Sequence, residues 1–415
     1  MTSPIDILLF DQDVAKMYED GNNVWLKQYE TKAHKASPIS IPKDEIIDTS
    51  SLVFQDRVAG FISDAMPGVF GKKIQDEYFL KYLGRSRASV SDRLLFIADR
   101  ALGALSFAPP TQRSKDIDET VSLKEMYEIS KNLENGIITN ASVDNFTVAA
   151  HSAAGGARAK AVVGINLDTK DILMGHNHGS LPEGFMRAIV KYDDDEKAKK
   201  SVYSKLEYIY SVIAKKSGIN MTRCELVDTE DGRSHFVTER FDNIQGDRMH
   251  VHSLAGLLHV DFSYPMQTDY EDMFRVALQL GATASINQLF KQMIFNYMLV
   301  NQDDHSRNFS FMMNPAGQWS ATPAYDLTYS NGEKQTSEHQ LSFRGKALSA
   351  VHINDIFESA SNFNINNDEL IKFISQLSAL RESELPAMIK EHDLPKSKYD
   401  QVMNSVSVRT FGGVL

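Results

Sequence analysis

The sequence predicts an α+β protein of two lobes, with a mixed α/β N-terminal part and an all-helical C-terminal lobe. Three observations carry that expectation. The chain has 415 residues, more than one hydrophobic core accommodates at roughly 100–200 residues per domain. Its composition, 42% hydrophobic and 24% charged, is that of a folded globular chain rather than a disordered one. The apolar period also changes along it, from short β-branched runs to sustained helical spacing after about Arg248.

In chain order, the first forty or so residues read as mixed and polar. Val58, Phe61, Ile62 and Ala65 then fall at i, i+3, i+4 and i+7, a helix face over 55–66 that Pro67 and Gly68 stop. A second helix begins at Ser91 or Asp92 and runs through LLFIADRAL. GALSFAPP reads as a short strand ending at a double proline, and Thr111 to Thr120 as a polar linker. These set an N-terminal subdomain at 1–115, a β-rich lobe at 116–248 and a helical lobe at 249–415. Within the β-rich lobe, VDNFTVAAHSAAGGARAKAVVGIN predicts a strand, a small-residue loop and a strand, while FMRAIVKY and HFVTERFD predict two more. A helix from about Ser204 to Ser217 lies between them, with Leu206, Ile209, Tyr210 and Ile213 on one face and Gly218 as its stop signal. After Arg248, YEDMFRVALQL, SINQLFKQMIFNYMLVN, NDELIKFISQLSAL and KSKYDQVMNSV all have helical spacing. No internal repeat or low-complexity tract interrupts the chain. A β-rich lobe followed by a helical one invites a ligand into the cleft between them.

The net charge of −11 argues against a surface built to neutralise phosphates, since nucleic-acid binders present a basic face. One cysteine, Cys224, excludes an intrachain disulfide framework and an all-cysteine metal site, and fits a reducing cytoplasm. MTSPIDILLF lacks the basic and apolar regions of a secretory signal, and nothing approaches the ~20 apolar residues that span a bilayer. A cytoplasmic protein without a membrane contact is expected.

The densest chemistry lies in NYMLVNQDDHSRNFSF, where an apolar helix end gives way to a polar loop and a short strand. Asp303 and Asn308 have the D-x-x-x-x-N spacing of a protein-kinase catalytic loop, in which the Asp receives or orients the proton of the attacking hydroxyl and the Asn holds Mg²⁺. Phosphoryl transfer needs little covalent help and much alignment and positive charge, and this spacing lets both side chains face one phosphate. The same loop composition also suits a solvated turn. Asp326, in PAYDLT, follows where a second metal-binding Asp belongs, although the Phe-Gly that normally follows it is missing. Lys191 ends the run FMRAIVK, a context for a lysine on the α/β-phosphates of ATP, and equally for a strand-end lysine in water. Glu207, in the following helix, is placed to pair with it or to lie on the surface. The loop HSAAGGARAK, with Gly155, Gly156 and Ala157, lets backbone N–H groups approach phosphate oxygens, yet it matches neither common phosphate-loop pattern. Ser152 is its hydroxyl, and ordinary turn chemistry is its alternative role.

Taken in order, these pieces resemble the HipA-type serine/threonine kinases, the toxin half of bacterial HipA–HipB toxin–antitoxin pairs. GALSFAP is similar to the family's G-A-L-x-F segment, MPGVFGKKI to its L-P-D-G-W-G-R block and GGARAKAVV to its G-G-A-R-P-K stretch. VTERFD resembles its V-E-R-F-D strand, NQDDHSRNFSF its catalytic loop, PAYDLT its metal Asp and HQLSFRGK its L-S-I-N-G-K block. The resemblance implies a two-lobed protein-kinase-like fold with Asp303 as catalytic base. It also implies Asn308 and Asp326 on Mg²⁺, Lys191 on the ATP phosphates and His305 close to them. Glu239 and Phe241 would form the hinge whose backbone recognises adenine. The D-x-H-x-x-N form also resembles the catalytic loop of phosphatidylinositol 3/4-kinases. Family members autophosphorylate a serine of the Gly-rich loop. Here Ala153 and Ala154 stand where relatives often carry one, and Ser152 is the serine nearby. MPGVF departs from the family in lacking its Asp and Trp.

The leading expectation is an ATP- and Mg²⁺-dependent kinase acting on a Ser or Thr of a cytoplasmic protein. By resemblance, its target would be a translation component such as an aminoacyl-tRNA synthetase. It would be neutralised by a small HipB-like helix-turn-helix antitoxin that supplies most of any DNA contact. The alternative is a catalytically weak kinase fold acting as corepressor in an antitoxin–operator complex. A metallohydrolase built on DDH would require further His or Asp ligands at motif spacing, which the sequence does not supply.

Overall fold

The computed structural model describes residues 4–29, 34–42, 44–111, 117–134, 158–174, 180–193, 201–244, 246–332 and 334–411. Strands β1 (Ile5–Leu9), β2 (Gln12–Asp20), β3 (Asn23–Gln28), β4 (Ile46–Asp48) and β5 (Leu105–Ala108) form an antiparallel sheet in the order β4-β3-β2-β1-β5. Residues 5–28 are thus mainly strand rather than the mixed polar stretch expected. Ile5, Ile7, Leu9, Val14, Met17 and Leu26 face the core, and a bulge at Val14, where Val14 and Ala15 are buried in succession, interrupts the alternation of β2.

Helix α1 (Gly60–Ala65) is shorter than the apolar face over 55–66 suggested, because a 3₁₀ turn at Val53–Gln55 precedes it. Helix α2 (Val69–Leu83) has no apolar stripe to read: Phe70, Ile74 and Phe79 are buried, while Val69, Leu80 and Leu83 are exposed on other sides. Helix α3 (Val90–Ile97) is capped by Ser89, whose hydroxyl accepts from Asp92 N–H while the Asp92 carboxylate accepts from Ser89 N–H.

The second sheet has six strands, β6 (Ile117–Ser122), β7 (Lys160–Asn166), β8 (Asp171–Met174), β9 (Phe185–Lys191), β10 (Cys224–Asp228) and β11 (Ser234–Glu239), ordered β10-β11-β9-β7-β8-β6. The second half of the expected linker is therefore an edge strand of this sheet. Helix α4 (Leu123–Glu134) follows it. The strand expected near 143–150 and the small-residue loop up to 157 lie outside the described residues. Helix α5 (Val202–Lys216) buries the expected face, and Gly218 ends it at φ 89°. That face packs into the core of the helical lobe, while α2 lends Phe70 and Ile74 to the core of the six-stranded sheet.

A hairpin of β12 (Asn243–Ile244) and β13 (Asp247–Arg248) leads into the C-terminal lobe, which is not all helical. It carries an antiparallel sheet of β14 (His250–Ser253), β15 (Ser310–Met313) and β16 (Trp319–Ala321). These strands are three or four residues long, and β14 contains two buried histidines, so no apolar alternation announces them. The helices are α6 (Leu254–Leu258), α7 (Tyr270–Gln279), α8 (Ile286–Met298), α9 (Ile353–Asn362), α10 (Asn367–Glu391) and α11 (Lys396–Ser407).

The N-terminal sheet is locked to this lobe through α1 and α6. A Cβ on Gly60 would collide with the Gly256 carbonyl oxygen, and one on Gly256 would lie 2.5 Å from Asp64 Oδ2. Asp64 accepts from Ser253 N–H at 2.7 Å, Ser253 Oγ at 2.7 Å and His252 Nδ1 at 2.8 Å. Gly60 N–H donates to His259 Nε2 at 3.1 Å.

Candidate active site

Lys191 closes β9, where it stands opposite Lys160 of β7 in the antiparallel register. Two lysines side by side repel unless carboxylates intervene. Lys191 Nζ donates to Glu207 Oε1 of α5 at 2.5 Å and to Asp326 Oδ1. Burial alone would depress the Lys191 ammonium, but Asp326 and Glu207 together raise it above the usual lysine range. Asp326 is pushed up by desolvation, yet Lys191 and Lys160 hold it down at about 2. Burial lifts Glu207, and Lys191 only partly offsets that. Lys160, buried and next to Lys191, falls to about 8. The firmly ionised arm of this triad is therefore Lys191 with Asp326. Asp326 also sits at φ 53°, a left-handed backbone that costs of order 1 kcal/mol or more and concentrates at functional positions.

The polar loop 301–308 leaves α8 and runs beside the Asp326 segment. Gln302 N–H donates to Ser330 O at 2.9 Å and Ser330 N–H to Val300 O at 3.0 Å, while Ala324 N–H donates to Asn220 O at 2.8 Å just beyond α5. These backbone bonds lay the Asp303 loop beside the Asp326 segment, and Asp326 in turn meets Lys191 through its side chain. Asp303 is half-exposed, with His305 Nε2 at 3.8 Å. Desolvation raises the Asp303 carboxyl above its ordinary value, with Asp326 and Asp304 adding to the rise and His305 opposing it. Asn308 Nδ2 donates to the Asp303 carbonyl at 2.8 Å and Asn308 N–H to the His305 carbonyl at 2.8 Å, closing the loop on itself. The His305 ring lies 5.1 Å from that of Phe262, and its Nδ1 has no hydrogen-bond partner among the described residues.

Glu239 is exposed at the end of β11, and its N–H donates to Arg223 O at 2.8 Å. Phe241 stacks on Tyr325 with ring centroids 5.8 Å apart. On either side of Phe241, Arg240 and Asp242 form a buried ion pair at 2.8 Å, and Asp242 also accepts from Gly103 N–H at 2.6 Å. Gly155, Gly156, Ala157 and Ser152 lie outside the described residues. Several residues that support the site were not singled out from sequence. The Tyr325 hydroxyl donates to Arg307 O at 2.9 Å, and Arg307 Nη2 donates to Ser63 O at 2.9 Å, tying the loop to α1. Tyr325 directly precedes Asp326, and adjacency to that expected metal ligand is the signal that could mark it.

For a cation, the Asp326 carboxylate and the Asn308 amide oxygen are hard oxygen donors, and Asp326 is ionised throughout the neutral range. That set fits Mg²⁺, which is commonly held by one or two carboxylates and completed by water and substrate phosphates. Among the described residues no group of three or more His, Cys, Asp or Glu converges to hold a metal by itself.

Among solved structures, the chain is similar to a chain of the Shewanella oneidensis MR-1 toxin–antitoxin complex of HipA, HipB and its operator DNA. The TM-score is 0.64 at 17% identity, over 98% of this chain and 96% of that one. A fainter likeness, TM-score 0.36 at 12% identity over 57% of this chain and 89% of that one, is to the Helicobacter pylori proinflammatory kinase CtkA. Among curated proteins none matches. The HipA-like C-terminal domain family matches residues 152–385, more than half of the chain and the whole stretch from the small-residue loop through Asp326 to α10. With that span and a fold shared along the full length, the chain belongs to the HipA-like C-terminal domain family.

Proposed function

We propose that this protein is an ATP- and Mg²⁺-dependent serine/threonine protein kinase. The observation that carries this reading is Lys191 bridging Glu207 and Asp326 beside a loop that presents Asp303. Magnesium-bound ATP supplies the phosphoryl group and the charge that activates it. Lys191 and the 155–157 backbone would bind its phosphates, Asn308 and Asp326 would hold the cation, and the hinge from Glu239 to Phe241 would bind adenine. Asp303, half-exposed and raised in pKa, would orient the acceptor hydroxyl and take its proton, with His305 next to it. Ser152 is the proposed autophosphorylation position. Two breaks in the fold support dividing the chain at 1–115, 116–248 and 249–415: β5 closes the first sheet before β6 opens the second, and β14 pairs within the last lobe.

The likeness to a chain of a HipA–HipB–operator complex supports a HipB-like helix-turn-helix antitoxin as partner, with DNA reached mainly through it. The protein substrate is proposed to be a cytoplasmic translation component such as an aminoacyl-tRNA synthetase. No helix among the described residues is long and apolar enough to cross a membrane, and a cytoplasmic location is proposed from the sequence. Transfer of labelled phosphate from ATP tests the reading: Asp303→Ala and Asp326→Ala should each abolish it. Label retained in both variants would remove these residues from the chemistry. No label from the wild type, with operator DNA still bound in the antitoxin complex, would favour the corepressor reading.

A further inference from the structure

Asp304 follows Asp303 in the loop and points the other way. Its side chain is fully buried, whereas that of Asp303 is 45% exposed. A buried carboxylate is tolerated only where donors surround it. Three do: Tyr270 Oη donates to Oδ2 at 2.6 Å, His339 Nδ1 to Oδ2 at 2.8 Å and Gln340 N–H to Oδ1 at 2.6 Å. The donors come from the first residue of α7 and from the HQLSF segment, so one carboxylate joins three stretches of chain. Behind it, Asn296 Nδ2 donates to Tyr270 Oη at 3.2 Å and Asn301 Nδ2 to Asn296 Oδ1 at 3.0 Å, which carries the network back to the end of α8. His339 is wholly buried, and its Nε2 has no hydrogen-bond partner among the described residues.

We infer that Asp304 is a positioning residue: anchored by Tyr270, His339 and Gln340, it fixes the backbone at 303–304 and so the direction in which Asp303 enters the cleft. The anchoring stands on the geometry alone, and its consequence for turnover rests on the kinase reading. Two adjacent aspartates then divide the work, one facing inward to hold the loop and one outward toward the acceptor.

Two variants test this. Asp304→Asn removes the charge that the three donors surround. Tyr270→Phe keeps the core packing and deletes one donor, and it carries the test if the first variant does not fold. The first measurement is amide hydrogen exchange over residues 303–309, which should accelerate roughly tenfold while the rest of the lobe is unchanged. The second is steady-state transfer from labelled ATP to casein, in which kcat should fall roughly tenfold at an unchanged KM for ATP. In an Asp303→Asn background, Tyr270→Phe should cost nothing further, since its effect passes through Asp303. Unchanged loop exchange, or an unchanged kcat in an active enzyme, overturns the inference. Faster exchange confined to the loop supports the anchoring even in a protein that labels no acceptor, and that result sinks the kinase reading instead.

Discussion

Lys191 shows what a single residue contributes here. From its sequence context it was either a phosphate-binding lysine or a solvated strand end, and only the approach of α5 and the Asp326 segment separates the two. Its ammonium faces Glu207 and Asp326, side chains 12% and 35% exposed, so it cannot be removed without leaving carboxylates in a desolvated place. Lys191→Met should lower phosphoryl transfer by roughly 10²–10³-fold, the usual loss when a preorganised positive group is deleted from a charge-stabilising site. It should also lower the melting temperature. Wild-type turnover in this variant would place the phosphates elsewhere. The pair Asp303 and Asp304 makes the same point, because two neighbours of one residue type differ entirely in exposure and partners.

At the scale of elements, helices whose apolar positions repeat over about three turns or more were legible, whereas α4 and α9, with one buried face of only three or four residues each, were not. The residues of α5, α7, α8, α10 and α11 repeat their apolar positions at helical spacing, and a helix forms over each stretch, although α8 stops at Met298 and α10 continues past the expected 380 to Glu391. Helix α2 packs against two cores and exposes apolar residues elsewhere, so no single face stood out. The bulge at Val14 interrupts the alternation of β2, and two buried histidines interrupt the apolar pattern of β14. The contact of α1 with α6 depends on glycine at both crossing points. Gly60→Ala inserts a methyl against the Gly256 carbonyl and should destabilise the protein by about 1–3 kcal/mol, as overpacking does. Thermal unfolding checks this, and an unshifted melting temperature would mean that α1 and α6 separate freely.

At the scale of the whole molecule, the junction between the N-terminal sheet and the helical lobe is built around histidines that must stay neutral. Burial lowers His250 to about 3 and His259 to about 4, with His252 adding to both shifts. His259 Nε2 accepts from Gly60 N–H, which a protonated ring cannot do. Between the ordinary histidine value of 6.5 and about 4, the unfolded chain takes up protons that the folded one refuses. Stability should therefore be complete above pH 6.5 and decline through that window as the pH falls. Urea midpoints measured across the range check the sign, and His259→Gln, which keeps an acceptor, should flatten the decline. A midpoint that rises on acidification would contradict the assignment. Below that window Asp64 adds to the loss: burial pushes its carboxyl up, but His252, Arg307 and Ser253 hold it below the usual value, so stability also falls as it protonates.

By itself the sequence determined the chemistry available: the spacing of Asp303 and Asn308 on one short loop, the lysine ending a β-branched run, and the family motifs in their order. Such features are local, set by a few residues of backbone and by apolar period, and they survive without knowledge of the fold. The tertiary structure alone decided which of two aspartates faces the cleft, that Lys191 meets both Glu207 and Asp326, and that residues 5–28 form strands of a sheet locked to the distant lobe through Gly60 and Gly256. Those outcomes depend on strand register and on hydrogen bonds between segments well separated in sequence, from Gln302 with Ser330 to Ala324 with Asn220. Whether a polar side chain is buried or exposed there is settled by what packs over it, which no local pattern encodes.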